Sequence, residues 1–400
     1  MRLLIALILA ITAAPLIAQV ALPGARLPQI GVPPLGEIRQ RLDDTVRDAR
    51  RLVADRTDRL RDFVRQNREA VEIDDRGAPA VRGEIVAMGI DGAAEAALLR
   101  AGFGLIARER IDGLGLAFVR FRTPDGDSLA RALREARRIA PGAEIGADTL
   151  HFQSGASPEI PAAPLAQGRG ARAALGLIDG GVARHPSLTA PVEQRGFARG
   201  GPAPSAHGTA VASLIAGNGK VKGGAPGAAL RVADVYGRDP AGGGAVAIAR
   251  ALGWLSASGT RITTISLVGP SNPLLAAAVA AAQRRGMTIV AAVGNDGPAA
   301  PPGYPAGYPG VIAVTAVDRR MRVLPEAQAA VHVDFAAPGA GIRAADADGG
   351  TVRVRGTSYA APLVAGALFR AGSRAVLARI AERPSKATGA GIVCADCPAR

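Results

Sequence analysis

From residue 173 to about residue 382 the chain alternates short, almost wholly apolar runs with longer helical ones, and this alternation restricts the fold more than any other feature. AALGLI (173–178), ALRVADVYG (229–237), RITTISLVG (261–269), MTIVAAVG (287–294) and GVIAVTAVD (310–318) read as strands. HGTAVASLIAG (207–217), GGAVAIARALGWLSASG (243–259), NPLLAAAVAAAQRRG (272–286) and TSYAAPLVAGALFRAGSRAVLARIAE (357–382) read as helices. Strands lacking a polar face must be covered on both sides, and the helices between them serve as crossovers. The expected fold is therefore α/β, a parallel sheet with helices on both faces. Aromatic residues make up 3% of the chain, so the core has to be built mainly from Ala, Val, Leu and Ile.

The region before it follows another pattern. RGEIVAMG, DGAAEAALLRAG, FGLIARERI, LAFVRFRTP, DSLARALREARRIAP and AEIGADTLHF give the order β-α-β-β-α-β over residues 82–152, the ferredoxin-like arrangement. This module has no cluster of reactive side chains, and it lacks the stacking aromatics of an RNA-binding sheet. Residues 153–170 are rich in Pro, Gly, Ala and Ser and read as an exposed, easily cut linker. Residues 35–68 carry apolar positions three and four apart, among them Val46, Val53, Leu60 and Phe63, amid alternating acidic and basic residues. They predict one long helix, a solvated spacer packing a single stripe onto a neighbour.

The start of the chain has a basic residue, Arg2, then an apolar run from Leu3 to Ala18 with small residues near Ala18 and Ala21. That is the layout of a cleavable secretory leader, with an uncleaved anchor as its competitor. The net charge of +14 is uneven: residues 151–400 hold 25 Lys and Arg against 13 Asp and Glu, residues 1–150 hold 23 against 21. The excess is scattered arginine, not interleaved with aromatics, so nucleic acid is not expected as a partner. Two cysteines, Cys394 and Cys397, are too few for a structural zinc site. GNGKVKG (217–223) lacks the last glycine of the dinucleotide fingerprint.

Four short segments carry distinctive side chains beside glycines and apolar runs: Asp179 after AALGLI, His207 in SAHGTAVASLIAG, Asn295 after MTIVAAVG and Ser358 in GTSYAAP. Singly, each has an ordinary reading, as a turn aspartate, a loop histidine, a turn asparagine and a helix-capping serine. Together they supply an acid, a base, an amide donor and a hydroxyl nucleophile, and ligands of such sheets gather at the carboxyl ends of the strands.

Residues 173–380 resemble the catalytic domain of subtilisin-like serine proteases, with the four segments in that family's order and GGAPGAALRVADVYG, TISLVGPSN and YPAGYPGVIAVTAVD fitting as well. The resemblance implies Ser358 as nucleophile, His207 as general base, Asp179 as the acid that orients it and Asn295 as oxyanion donor. Ser266, Leu267, Val268 and Gly269 would bind extended substrate along an edge strand. Val268 stands where glycine is common, which implies an altered side-chain pocket. No cofactor is implied for the chemistry; a structural calcium ion stays open, although no acidic calcium loop is evident. The implied organisation is a leader (1–22), a charged helical spacer (23–80), a ferredoxin-like propeptide (81–152), a linker with the maturation site (153–172), the catalytic domain (173–385) and a tail with C-x-x-C (386–400). The expected product is an exported endopeptidase, periplasmic or secreted, acting on protein or peptide substrates. Its own residues 81–152 are the expected intramolecular inhibitor, and membrane contact is expected only through an uncleaved leader. A catalytically idle scaffold and an esterase with the same triad are the competing readings.

Overall fold

The computed structural model describes residues 35–153 and 174–393. The expected leader, nearly all of the linker, and Cys394 and Cys397 lie outside the described residues. The chain divides into two compact units, Met1–Val46 and Arg47–Arg400; the helix that opens the described residues starts in the first, and every later element lies in the second.

Helix α1 (Leu35–Gln66) runs into β1 (Val71–Ile73), and then come β2 (Pro79–Met88), α2 (Gly92–Arg100), β3 (Gly104–Ile111), β4 (Leu116–Arg122), α3 (Leu129–Ile139) and β5 (Glu144–Thr149). The antiparallel sheet has β5 beside β2, β2 beside β4 and β4 beside β3, with β1 on the start of β2. Alternation along β2 divides its side chains between two cores. Ile85 and Ala87 pack with Leu98, Phe121 and Leu133, whereas Val86 and Met88 join Ile248, Leu252, Leu275 and Val279.

Those last four residues belong to the second layer. After the two-residue strand β6 (Phe152–Gln153) come β7 (Ala174–Asp179), β8 (Val192–Gly196), α4 (Ala206–Ala216), β9 (Ala229–Asp234), α5 (Ala245–Ala257), β10 (Ile262–Ile265), β11 (Leu267–Val268), α6 (Pro273–Arg284), β12 (Thr288–Ala292) and β13 (Ile312–Val317). The chain continues through β14 (Phe335–Pro338), the hairpin β15 (Ala340–Ala345) and β16 (Thr351–Arg355), a 3-10 turn at Thr357–Tyr359, α7 (Ala361–Ala371) and α8 (Arg374–Ile380). Seven strands form one sheet in the order β14-β13-β12-β10-β7-β9-β8, and every pairing in it is parallel. All residues of β7, β9 and β13 are buried, as strands covered on both faces require. Helices α4 and α7 pack on one face and α5 and α6 on the other.

Several details differ from the sequence reading. RITTISLVG is not one strand: it breaks at Ser266 into β10 and β11, which belong to different sheets. Residues 357–382 are not one helix. Gly372 ends α7 in the left-handed conformation (φ 75°) with its N–H on Leu368 O, and Ser373 then caps α8 through Val376 N–H. The boundary at 80/81 cuts through β2, and that at 385/386 leaves out the buried Ile392 and Val393, which bridge to Ala336.

Candidate active site

Asp179 is the last residue of β7, at the carboxyl edge of the parallel sheet, and His207 is the second residue of α4. Ser205 opens that helix by accepting Gly208 N–H at 2.9 Å. Position 208 must be glycine, because a Cβ there would run into the backbone of Gly180 and Gly181. This close approach seats the first turn of α4 on the end of β7 and brings imidazole and carboxylate together. His207 Nδ1 lies 2.9 Å from both Asp179 oxygens. Asp179 Oδ1 also accepts Gly180 N–H at 2.7 Å and the Gln153 side-chain amide at 3.2 Å. Asp179 is 0% and His207 1% exposed. With Nδ1 committed to the carboxylate, Nε2 is the acceptor face of the ring, and it has no hydrogen-bond partner among the described residues.

Ser358 is buried in the 3-10 turn that precedes α7, so it is not the helix cap of the ordinary reading; Ala360 holds that position. The Ser358 carbonyl accepts Ser266 Oγ–H at 3.0 Å, which ties the turn to the start of β11. Its neighbour Tyr359 lies against His207, ring centroids 5.3 Å apart. Asn295 follows β12, and its Oδ1 accepts Thr357 N–H at 2.9 Å. Gly294 N–H donates to Thr357 Oγ1 at 3.1 Å, a second tie between the β12 end and the turn. Orienting the Asn295 oxygen toward Thr357 turns its Nδ2 to the other arm of the amide. The fold thus joins Asp179 to His207 directly, and Asn295 to the Ser358 turn through Thr357. An imidazole held by a buried carboxylate, packed against the Ser358 turn through Tyr359, and an amide tied to the same turn through Thr357 are the parts that acyl transfer needs.

The expected substrate edge is occupied by the chain itself. Strand β6 pairs antiparallel with β11, Phe152 opposite Val268 and Gln153 opposite Leu267. Just before it, His151 N–H donates to Gly243 O at 2.8 Å, and Tyr236 Oη–H donates to His151 O at 2.7 Å. The His151 ring fills the space beside Gly269, where a Cβ would come within 2.6 Å of it. Gly269 itself exchanges backbone hydrogen bonds with Tyr304. Val268 Cγ1 stands against Gly294 and Gly303, so this side chain takes up room that glycine would leave open.

Burial governs the ionisable groups around this occupant. Desolvation, opposed by backbone hydrogen bonds, pushes the His151 imidazole down to about 4. Desolvation and then the nearby Glu84 carboxylate push Asp148 up to about 7, although its Oδ1 accepts Val246 N–H at 2.9 Å at the start of α5. Asn272, which caps α6, donates to Ala147 O at 2.9 Å and Thr149 Oγ1 at 3.0 Å, so β5 is tied to the N-termini of both α5 and α6. A chain of ions, Arg250–Glu109–Arg120–Glu84, links α5 to the antiparallel sheet. Desolvation also raises the Asp234 carboxyl, and it raises the Tyr236 phenol well above its usual range.

Sequence reading missed His151, Gln153, Asp148 and Thr357. Thr357 carried a signal as the neighbour of Ser358 in GTSYAAP; the others are isolated polar residues whose setting exists only after folding. Among the described residues, no three or more His, Cys, Asp or Glu are grouped to hold a metal, and no helix is long and apolar enough to cross a membrane.

The sequence model of the subtilase family matches residues 170–375. Subtilisin BL of Lederbergia lenta is 36% identical over 219 residues, covering 51% of this chain and 79% of that protein. Subtilisin Savinase of the same organism is 35% identical over the same shares. The fold of fervidolysin from Fervidobacterium pennivorans, a keratinolytic enzyme related to subtilisin, superposes with a TM-score of 0.62 at 20% identity. That likeness covers 80% of this chain and 61% of the other, a share larger than residues 174–393 alone supply. A match over half of the chain, on the residues that build the Asp179–His207 edge, settles the relationship: the chain belongs to the subtilase family and is a subtilisin-like serine endopeptidase.

Proposed function

We propose that the chain is made as a precursor, exported, and activated by its own cleavage, and that it hydrolyses peptide bonds through an acyl-enzyme on Ser358. The observation that carries this reading is β6. An extended segment of the chain lies on β11 as a bound peptide would, with its last described side chain, Gln153, hydrogen-bonded to Asp179. The family's chemistry then assigns the roles. Ser358 Oγ attacks the carbonyl carbon as its proton passes to His207 Nε2. Asp179 keeps the proton on Nδ1 and stabilises the imidazolium. Asn295 Nδ2 donates to the oxygen as it becomes negative. The tetrahedral intermediate collapses, the amine leaves with the proton from His207, and water enters by the reverse steps to release the acid.

Residues 81–152 act, in this reading, as propeptide and inhibitor, docked through β5 on the N-termini of α5 and α6. The apolar run from Leu3 to Ala18 is the export signal. The expected cut lies between about Leu150 and Arg172, a stretch that includes β6 and Gln153, whose side chain reaches Asp179. Purified precursor should cut itself there, as read by mass spectrometry of the new N-terminus, while Ser358→Ala stays full-length. Identical processing of both proteins would overturn the proposal.

A further inference from the structure

We propose that α1 is a strap holding the occupant of the cleft in place, an inhibitory element separate from the antiparallel sheet. Residues 52, 56, 59 and 63 recur at helical spacing and so share one face of α1. That face touches both sides of the cleft. Leu52 lies on Gly297, where a Cβ would come within 2.8 Å of its Cδ1. Arg56 Nε reaches Asp296 Oδ2 at 2.8 Å and Arg59 Nη2 reaches Asp296 Oδ1 at 2.9 Å. Asp296 directly follows Asn295, so both guanidinium groups are tied to the residue next to the proposed oxyanion donor. One turn further on, the Phe63 ring stands edge-on to Phe152, centroids 5.1 Å apart and planes at 87°. Phe152 is one of the two residues of β6.

The helix therefore bridges from the Asn295 side of the cleft to the strand that fills it. Two paired residues make a short strand, and the aromatic contact covers it from outside. The C-terminal end of α1 leads within five residues into β1, which is paired to β2, so the strap is anchored in the antiparallel sheet. Its other hold is weak by construction. The Arg56, Arg59 and Asp296 side chains are 34%, 60% and 29% exposed, and rim ion pairs of this kind contribute little and are screened by salt. Such a strap lifts without unfolding the sheet below it.

The proposal rests on the reading of Ser358 and β6 given above, and the experiment separates the two. Purified protein that still holds its N-terminal segment, cut or uncut at the linker, is treated with a fluorophosphonate, and the rate of labelling at Ser358 is followed. The variants are R56Q/R59Q, F63A and, as a conservative control, R56K/R59K. R56Q/R59Q should label about three- to tenfold faster than the parent, and F63A by a similar factor or more. R56K/R59K should stay near the parent rate. Raising ionic strength from about 0.05 to about 0.5 M should speed labelling of the parent and not of R56Q/R59Q. The salt response of the parent needs no substitution, so the strap can be judged even where a variant folds poorly. After the N-terminal segment is stripped away by limited digestion, all the proteins should label alike. Equal rates for parent, R56Q/R59Q and F63A, with no salt effect on the parent, would overturn the strap. Absence of labelling in the stripped enzyme would instead overturn the role of Ser358.

Discussion

The Asp179–His207 edge and the surface on which the antiparallel sheet rests are both buried, yet they are built on opposite principles. At the edge the carboxylate and the imidazole meet each other, nearby backbone and the Gln153 amide, and the surroundings are small residues that pack closely. On the docking surface, burial works against the ionised forms: Asp148 is driven up to about 7 and His151 down to about 4, and ions alternate along Arg250–Glu109–Arg120–Glu84. The first arrangement is held by short contacts within the catalytic layer. The second has a strength that depends on protonation and salt, as the propeptide role proposed above requires.

The sharpest way to test this contrast is to damage one region and look for an effect in the other. Asp179→Asn should lower kcat by about 10⁴, because the imidazole loses the acceptor that fixes its tautomer. Docking of the N-terminal segment should be almost unchanged, as read by co-elution of the two segments in gel filtration after the linker is opened by an added protease. Asn295→Ala should cost about 10²–10³ in kcat, a range already characteristic of this family, with little change in KM. Parallel losses of activity and docking in these variants would erase the distinction between the regions.

The pH dependence of docking tests the other side. Asp148 is protonated more readily when docked, so its contribution is complete below its ordinary value of 3.8 and is lost as pH rises through about 7. His151 is held neutral when docked, so its contribution is complete above its ordinary value of 6.5 and is lost as pH falls through about 4. Between about 4 and 6.5 the two slopes oppose each other, and docking of the parent should vary little. Asp148→Asn should leave docking that weakens on acidification, by up to about tenfold per pH unit, and His151→Gln docking that weakens as pH rises. Retention of the cleaved N-terminal segment across a pH series reads both; unchanged profiles would show that neither group senses docking. The smallest effect is expected at the pocket. Val268→Gly removes the side chain that stands against Gly294 and Gly303, and should shift cleavage of a peptide library toward bulkier residues by a few-fold, about tenfold at most. Unaltered cut sites would place Val268 outside the specificity pocket.

Much of the molecule follows from local pattern alone. Apolar runs without a polar face demand a sheet covered on both sides, and crossover helices make it parallel. A residue that ends such a run, as Asp179 and Asn295 nearly do, must then lie at the carboxyl edge. The four distinctive segments, and the helix that carries His207, are legible for that reason. Tertiary structure alone decided how the cleft is filled. The two residues of β6 are too few to show a period, and they become a strand only because β11 offers unpaired backbone. The inner face of α1 is selected by Asp296 and Phe152, more than two hundred and nearly a hundred residues away in the chain. The protonation of Asp148 and His151 is set by burial, a property of the folded surroundings that no neighbour in the sequence records.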